Sequence, residues 1–511
     1  MRIHFTDCLL MTSLTALFVA SRASELAVGA QSRCPAQCTC FQLQVTATFE
    51  CSNQQLSEIP SDFPAATVHL SLQGNHFGII AQGNLSRYSH LRQLAMTFSG
   101  ITELEANSFS GNANLQWLDL KHNLLERIKG GTFNGLPSLS RLDLGHNLLH
   151  QLDSLAFSGA GSLGFSVSLK SNAHLQHIAT SAFQDAPVES LYFQNNSLTS
   201  QALTSLRVLR STLRILSVIG NRELLGNLPR DLFHGFRFQM IDLSNSGITD
   251  ASFLSRLRSA MSLSLAGNPV GDKLNFSRLP RELNRSLRRL YLSMTNLSEL
   301  HASSFAPLRS LDHLDLQNNN IRSIDENMSQ LFQGIRELSL SGNPLHCNCQ
   351  LKWLHTFSRS RRGRQAINAH CATPVSRDVS EMQAHQFQCH PPAHVNVDID
   401  FNTTDDVISV NCEVSGDDPP ASVRIITSRD VILATSKRSM QVTLNRSNGE
   451  IAKVTCEACN VIGCLNETTA VTSQQATGDA TSGLSSTFRV APASGFPVYF
   501  LCFTYLYLLL S

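Results

Sequence analysis

The stretch LQWLDLKHN, Leu115 to Asn123, places three leucines and an asparagine in the pattern L-x-x-L-x-L-x-x-N. The pattern returns as LSRLDLGHN (Leu139 to Asn147), LDHLDLQNN (Leu311 to Asn319) and IRELSLSGN (Ile335 to Asn343). The asparagine position recurs every 22 to 27 residues, mostly every 24, at 75, 99, 123, 147, 172, 196, 221, 246, 268, 295, 319 and 343. A period of this length predicts a stack of about twelve units over residues 66–343.

Each residue type in the repeat has a physical reason. The L-x-L segment puts two leucines on one face of a short strand, so parallel stacking buries them and leaves the intervening residue outward. The asparagine can bond the backbone where the strand turns away, and Ser99, Ser246 and Thr295 can supply part of that bonding. Phenylalanines at a similar phase should fill the other half of the core: Phe109, Phe133, Phe157, Phe183 and Phe305.

The result is an expected horseshoe with a concave parallel sheet of roughly 55 Å. Such a stack exposes core leucines at both ends and needs caps. Of 14 cysteines, Cys8 and Cys502 lie in apolar ends, which leaves 14 − 2 = 12. Four of these, Cys34, Cys38, Cys40 and Cys51, precede the first repeat, and four follow the last: Cys347, Cys349, Cys371 and Cys389. Zinc binding by Cys347, Cys349, His346 and His370 is a weaker alternative, because secretion favours disulfides.

These two cysteine groups, over residues 31–65 and 344–390, resemble the caps of extracellular leucine-rich repeat proteins. The resemblance implies an α/β leucine-rich-repeat solenoid with disulfide caps. It also implies the pairs Cys34–Cys40, Cys38–Cys51, Cys347–Cys371 and Cys349–Cys389, whereas spacing alone allows three connectivities for each group.

In residues 391–474 the sequence pattern changes to the alternation of apolar and polar residues that is typical of strands. Ile408, Val410, Cys412 and Val414 share one strand face, and Ala452, Val454, Cys456 and Ala458 share another, so Cys412 and Cys456 can meet between two sheets. The segment resembles an all-β immunoglobulin-like sandwich, although Ile425 and Val454 stand where the family has its core Trp and corner Tyr. Cys459 and Cys464 flank a four-residue loop and are expected to form a local hairpin disulfide.

The two ends of the sequence carry targeting patterns. Residues 1–30 have the layout of a secretory signal peptide. Residues 475–495 are rich in small residues, and the apolar run 496–511 follows them. That arrangement predicts removal of the tail and attachment of glycosylphosphatidylinositol at Gly478, Asp479 or Ala480, with a short terminal span as the alternative. The protein is therefore expected on the extracellular face of the plasma membrane.

Charge and motifs exclude several functions. Lys plus Arg total 40 against 39 Asp plus Glu, which leaves no overall excess for nucleic acid. The G-x-G-x-x-G match Gly159–Gly164 lacks a following helix pattern and is interpreted as a turn between repeats. The basic run Arg359–Arg364 indicates a solvated cap surface, with glycosaminoglycan binding as the less favoured interpretation. No catalytic motif is present, and neither enzyme activity, a metal nor a cofactor is expected.

The order of signal, capped repeats and immunoglobulin-like domain resembles cell-surface proteins of the Kekkon, netrin-G ligand and amphoterin-induced adhesion type. The resemblance implies adhesion or ligand binding through an extracellular or cell-surface protein partner, in neural contacts or growth-factor receptor modulation. Innate immune recognition of microbial ligands is the alternative.

The ligand is expected on the concave face. Its candidate residues are the outward positions of the strands: Trp117, Asp119, Arg141, Asp143, Tyr192, Asp242, Arg289, Tyr291, His313 and Asp315. Nine Asn-x-Ser/Thr acceptors are typical of a secreted surface: Asn84, Asn195, Asn275, Asn284, Asn296, Asn327, Asn402, Asn445 and Asn466. Those within the repeats fall outside the strand pattern, so their glycans would leave the concave face open.

Overall fold

The computed structural model of the protein describes residues 38–43, 46–224, 226–360, 366–389, 394–402, 407–415, 422–427, 431–435, 439–445, 453–459 and 464–470. The expected signal peptide, the small-residue segment with its attachment candidates and the apolar tail lie outside these residues. The chain divides into two compact units, Met1–Gln388 and Cys389–Ser511. Within the described ranges, no helix is both long enough and apolar enough to cross a membrane.

The first unit is built on one sheet of 15 strands, here called the long sheet. Its first two strands form an antiparallel hairpin, and every later neighbour pairs in parallel. In spatial order the strands are Thr39–Leu43, Thr46–Glu50, Thr67–Ser71, Gln93–Ala95, Trp117–Asp119, Arg141–Asp143, Phe165–Ser168, Val188–Tyr192, Ile215–Ser217, Arg237–Asp242, Ser259–Ser264, Arg289–Tyr291, His313–Asp315, Glu337–Ser339 and Ala366–Asn368.

Short elements connect the strands of the long sheet or follow its last strand. Minor strands are Ile79–Ile80, Glu103–Leu104, Arg127–Ile128, Gln151–Leu152, His177–Ile178, Gly226–Asn227, Ile248–Asp250, Leu345–His346, His370–Thr373 and Arg377–Asp378. α-Helices are Ser200–Leu203, Arg281–Ser286, Ala302–Phe305, Ser329–Gly334 and Lys352–Ser360. 3₁₀ turns are Thr204–Leu209, Arg222–Leu224, Ser252–Arg256, Gly271–Lys273, Phe276–Arg278, Glu326–Met328, Cys349–Leu351 and Ala384–Gln386. Gly159–Gly164 lies in a turn before the strand Phe165–Ser168, as the sequence predicts.

Leucines and phenylalanines fill the interior between the long sheet and the connections. Leu118, Leu142 and Leu314, at the centres of their strands, are buried. The five predicted phenylalanines are all buried as well. The rings of Phe133 and Phe157 stack at 5.8 Å, and the stack continues to Phe109 on one side and Phe183 on the other. This continuous core confirms the expected repeat architecture.

The repeat asparagines are buried and bonded to backbone on both sides. Asn319 Oδ1 accepts the N–H groups of Thr295 (2.9 Å) and Leu297 (3.1 Å), and its Nδ2 donates to the carbonyls of Leu292 (2.7 Å) and Leu316 (3.0 Å). The substitutes keep part of this bonding: Ser99 Oγ donates to a carbonyl of the previous repeat, as does Ser246 Oγ. Thr295 Oγ1 donates to Leu292 within its own repeat. One amide thus supplies partners for backbone groups of two neighbouring units.

Disulfides close both ends of the first unit. Cys38 is bonded to Cys51 and Cys347 to Cys371, as the resemblance implies. Cys349 is also disulfide-bonded. These bonds make the zinc alternative wrong, because oxidised sulfurs cannot act as thiolate ligands. The expected Cys34–Cys40 bond lies outside the described residues.

The second unit contains two antiparallel sheets. One has the strands His394–Asn402, Val407–Ser415 and Ser439–Asn445, and the other has Val431–Thr435, Ser422–Thr427, Lys453–Cys459 and Cys464–Ala470. The disulfide Cys412–Cys456 joins them, and Ile425 and Val454 are fully buried in the shared apolar cluster. The backbones of Cys459 and Cys464 are direct partners across the hairpin, but the bond between their side chains lies outside what the structure describes.

Replacing one repeat asparagine should show how strongly the first unit depends on this bonding. Asn319→Ala leaves buried backbone groups without partners, and we expect a loss of about 3 kcal/mol in the free energy of unfolding. Urea unfolding of the secreted protein, followed by circular dichroism, measures it. Asn320→Ala, at the exposed neighbouring position, is the control and should change stability by less than about 0.5 kcal/mol. Equal effects for the two variants would contradict the assigned role.

Candidate functional site

The long sheet carries two rows of side chains, one on each side of the buried central residue of each strand. Most of these side chains are at least partly exposed, but Asp119, which the sequence predicts to point outward, is buried, as are Ser217, Ser262 and Ser264. Strand register aligns the rows from repeat to repeat. Trp117 lies opposite Arg141 in the first row, and Asp119 lies opposite Asp143 in the second. The same rows carry Arg289 opposite His313, and Tyr291 opposite Asp315. All ten predicted ligand-binding residues lie on strands of the long sheet in these two rows.

The structure divides the ten residues between two regions of the sheet. Trp117, Asp119, Arg141 and Asp143 form one group on two adjacent strands, and Arg289, Tyr291, His313 and Asp315 form another. Six strand intervals, or roughly 29 Å, separate the two groups. Tyr192 and Asp242 stand between the groups, and serines occupy most of the second-row positions there: Ser168, Ser217 and Ser264. The ten residues therefore do not form one continuous site.

The aspartates of the second row serve the local backbone. Asp143 Oδ1 accepts the N–H of Gly145 at 2.9 Å, and Asp315 Oδ1 accepts that of Gln317 at 3.0 Å. Asp119 accepts the N–H of Lys121 at 3.2 Å and also forms an ion pair with the Lys121 ammonium group. Burial raises the pKa of Asp119, Lys121 opposes the rise and the nearby Asp143 adds to it. These carboxylates accept hydrogen bonds from the backbone of the turn that follows the strand. This local role explains the aspartates without a ligand, so each is weaker evidence for a ligand contact.

The second group contains a small polar network. The rings of Tyr291 and His313 lie 4.8 Å apart, and His313 Nδ1 lies 2.8 Å from Glu337 Oε2 on the next strand. Burial raises the pKa of Tyr291. Arg289 is exposed beside these rings. Between the groups, the Lys170 ammonium lies 5.0 Å from the centre of the Tyr192 ring.

Beside the first group lies an apolar surface that the sequence reasoning missed. We define the aromatic patch as Phe98, His122, His146, Leu124 and Leu148. The Phe98 and His122 rings stack with centres 4.2 Å apart, and those of His122 and His146 stack at 4.3 Å. Phe98 is 62% exposed, and Leu124 and Leu148 are 48% and 45% exposed.

The position of these residues within the repeat could have revealed the patch from the sequence. Phe98, His122 and His146 each directly precede the buried polar residue of their repeat, and all three have left-handed backbone conformations with φ of 54°, 55° and 53°. That position lies just beyond the end of a strand, so consecutive repeats stack these side chains. The patch and the Trp117 group occupy neighbouring repeats, and together they form the candidate binding site.

The surroundings of His122 in the stack favour its neutral form. Burial lowers the pKa of His122, and the neighbouring His146 and Lys121 lower it further, while Asp143 opposes them. The folded protein therefore favours neutral His122. Protonation of His122 places positive charge against the nearly parallel imidazole face of His146, 4.3 Å away.

The acceptor asparagines leave this site uncovered. Asn84, Asn195, Asn275, Asn296 and Asn327 are exposed, and none lies in a strand of the long sheet. Asn284 differs from these five. It is 5% exposed and donates from Nδ2 to the Phe276 carbonyl at 3.2 Å, so the folded structure offers a glycan less room at this position. Asn466 is exposed, whereas the side chains of Asn402 and Asn445 lie outside what the structure describes.

Comparisons with known proteins agree with the fold. The leucine-rich repeat family model matches residues 67–125, 114–164 and 285–345. Podocan-like protein 1 of Mus musculus is 29% identical over 337 residues, which cover 59% of this chain and 53% of that protein. Trophoblast glycoprotein of Macaca fascicularis is 33% identical over 96 residues, or 18% of this chain and 22% of that protein. The chain spans about half the length of the podocan-like relatives it matches.

A solved structure has the same fold. One chain of the octameric complex of Latrophilin 3, Unc5D and FLRT2 (LRR) covers 70% of this chain and is itself covered completely, with a TM-score of 0.50 and 18% identity. The first unit is therefore a leucine-rich-repeat solenoid with a long parallel sheet and disulfides. In the part of the chain that the structure describes, no group of three or more His, Cys, Asp or Glu side chains could hold a metal ion.

Acidification should weaken the fold around the histidine stack. Because the folded-state pKa of His122 is depressed, its stabilising contribution is present above its usual pKa of about 6.5 and is lost as pH falls through the folded value. Nuclear magnetic resonance titration of His122 should give a pKa below about 6.5. His146→Phe preserves a stacked ring and removes its charge, so the His122 pKa should rise. An unchanged or lower pKa in that variant would rule out the electrostatic coupling.

Proposed function

We propose that this protein is a cell-surface adhesion or ligand-binding protein that recognises an extracellular protein through the open face of the long sheet. The observation that carries the proposal is Trp117, half-buried on that face opposite Arg141 and close in sequence to the exposed aromatic patch. Trp, Arg and other aromatic side chains are enriched among residues that dominate binding energy at protein interfaces. Apolar surface rimmed by charge is typical of such sites.

The similar proteins support recognition rather than catalysis. In the octameric complex that contains the same fold, the leucine-rich-repeat protein FLRT2 is assembled with Latrophilin 3 and Unc5D. We infer that the present chain likewise binds a protein partner, with neural contacts and growth-factor receptor modulation as the settings to test first. The exposed acceptor asparagines border the sheet without occupying its strands, so glycans on them would leave the site accessible.

The second unit is proposed to be an immunoglobulin-like domain. Two antiparallel sheets joined by the Cys412–Cys456 bond support this assignment. Buried Ile425 lies opposite Cys456 on the neighbouring strand, so an aliphatic side chain packs beside the disulfide where a Trp is usual. The hairpin bond Cys459–Cys464 and the cap bond Cys34–Cys40 stay predictions.

Trp117→Ala tests the proposed binding site. The secreted protein is first screened against a panel of extracellular domains, and the affinity of any partner is then measured by surface plasmon resonance. Loss of a central aromatic anchor costs about 2 kcal/mol, so we expect roughly thirtyfold weaker binding. Leu163→Ala, which removes a 96% exposed apolar side chain outside the strands, is the control and should have no effect. Unchanged affinity for both Trp117→Ala and Tyr291→Ala would move the site off the long sheet.

The membrane attachment is proposed to be a glycolipid. Support comes from the small-residue segment at Gly478–Ala480, the spacer and the apolar run 496–511. Phosphatidylinositol-specific phospholipase C should release the protein from intact cells, because the enzyme cleaves the lipid from the protein. A surface protein that resists release and keeps an epitope inserted after Ser494 would instead be held by its apolar run.

A further inference from the structure

A second surface of the first unit is rich in arginine. We define the arginine edge as Arg210, Arg237, Arg258, Arg285, Arg288 and Arg309, all of which are exposed. Each lies at or shortly before the start of a strand, on five successive strands from Ile215–Ser217 to His313–Asp315. They therefore follow one edge of the long sheet, at the opposite strand ends from the aromatic patch. Five strands at about 4.8 Å spacing extend this edge over roughly 19 Å.

Contacts between consecutive repeats involve these arginines or the residues next to them in the sequence. The Arg210 side chain packs against Gly235 of the next repeat, where an added Cβ would lie 3.1 Å from Arg210 Cδ. Arg237 is the register partner of Ser259, which directly follows Arg258.

The same sequence of contacts continues into the next two repeats. Ser286, which follows Arg285, bonds the Ala260 backbone through its hydroxyl group, with its Oγ 3.1 Å from the Ala260 oxygen. Arg288 reaches forward, and its Nη1 donates to the Ser310 carbonyl at 3.2 Å, beside Arg309. The arginine edge is thus built from the turns of successive repeats that contact one another.

The charge of this surface is predominantly positive. Among the described residues, none of the six arginines takes part in an ion pair. The segment Arg278–Arg289 alone carries five arginines and one glutamate, a net charge of 5 − 1 = +4. The chain as a whole is nearly neutral, so this accumulation of like charge is local.

We propose that the arginine edge binds a sulfated polysaccharide of the glycosaminoglycan class. Guanidinium groups form paired, charge-assisted hydrogen bonds with tetrahedral oxyanions, and a row of them fits a partner whose anionic groups repeat along a chain. The exposed large apolar side chains described in these repeats, Val208, Met261 and Met294, include no aromatic anchor of the kind that protein interfaces use. Among extracellular polyanions, a sulfated polysaccharide best matches an edge that is long, charged and without an aromatic anchor.

The burial of Asn284 also supports access to this edge. Asn284 directly precedes Arg285, and a glycan on it would cover the middle of the row. Its burial keeps the edge free. The site is separate from the basic run Arg359–Arg364 and from the face that carries Trp117.

Binding of the secreted protein to immobilised heparin tests the proposal, with hyaluronan, which lacks sulfate, as the comparison polysaccharide. The wild type should bind heparin, release it at raised salt and not bind hyaluronan. Arg258→Gln/Arg285→Gln/Arg288→Gln should weaken heparin binding by about tenfold or more. Arg87→Gln/Arg92→Gln/Arg322→Gln removes three other exposed arginines and should change it by less than about twofold.

Further variants separate loss of heparin binding from loss of a structural contact. Because Arg288 bonds Ser310, Arg258→Glu/Arg285→Glu repeats the test without touching that contact, and circular dichroism checks folding of every variant. Trp117→Ala should leave heparin binding unchanged, which separates this proposal from that of the protein-binding face. The proposal is overturned if the wild type does not bind heparin, or if only Arg361→Gln/Arg362→Gln/Arg364→Gln abolishes binding. It is also overturned if the triple variant of the arginine edge and the control triple variant weaken binding equally. A glycan found on Asn284 by peptide mapping would contradict it as well.

Discussion

The structure depends first on a buried amide that bonds the backbone of two neighbouring repeats. At the end of each strand the chain must leave the sheet, and the carbonyl and N–H groups of the turn lose their strand partners. Asn319 supplies them by accepting from one repeat and donating to both that repeat and its own. Buried peptide groups without partners are costly, so the asparagine fixes where each turn occurs and how one repeat sits on the next.

That constraint creates the binding surfaces. Because the strands of the repeats end at the same repeat phase, residues at a given phase come together across the sheet although about 24 residues separate them in the chain. Phe98, His122 and His146 form a ring stack for this reason, since each directly precedes the buried polar residue of its repeat. The arginine edge arises in the same way at the opposite ends of the strands. The solenoid thus converts scattered residues into rows, each with its own chemistry.

The two surfaces differ in what they can recognise. The face with Trp117 and the aromatic patch combines apolar rings with flanking charge, which suits a protein partner. The arginine edge has only charge in a line, which suits a polyanion. Separation on one rigid scaffold allows both to be occupied together. A matrix polysaccharide could concentrate the protein at a surface while the open face remains available to its partner.

The sequence by itself determined the repeat period, the strand positions, the buried leucines and phenylalanines, and the roles of the repeat asparagines with Ser99, Ser246 and Thr295. These features depend on local periodicity, which can be read along the chain. The ten predicted contact residues do lie on strands of the long sheet, although Asp119 is buried instead of outward. Only the tertiary structure decided which of them are neighbours, that the aspartates bond their own turns, and that Asn284 is buried by packing at Phe276. The reason is that connecting segments vary in length and path between repeats. Spacing to the repeat asparagine fixes a residue's phase on the strand, whereas its burial and neighbours depend on how the adjacent connections pack.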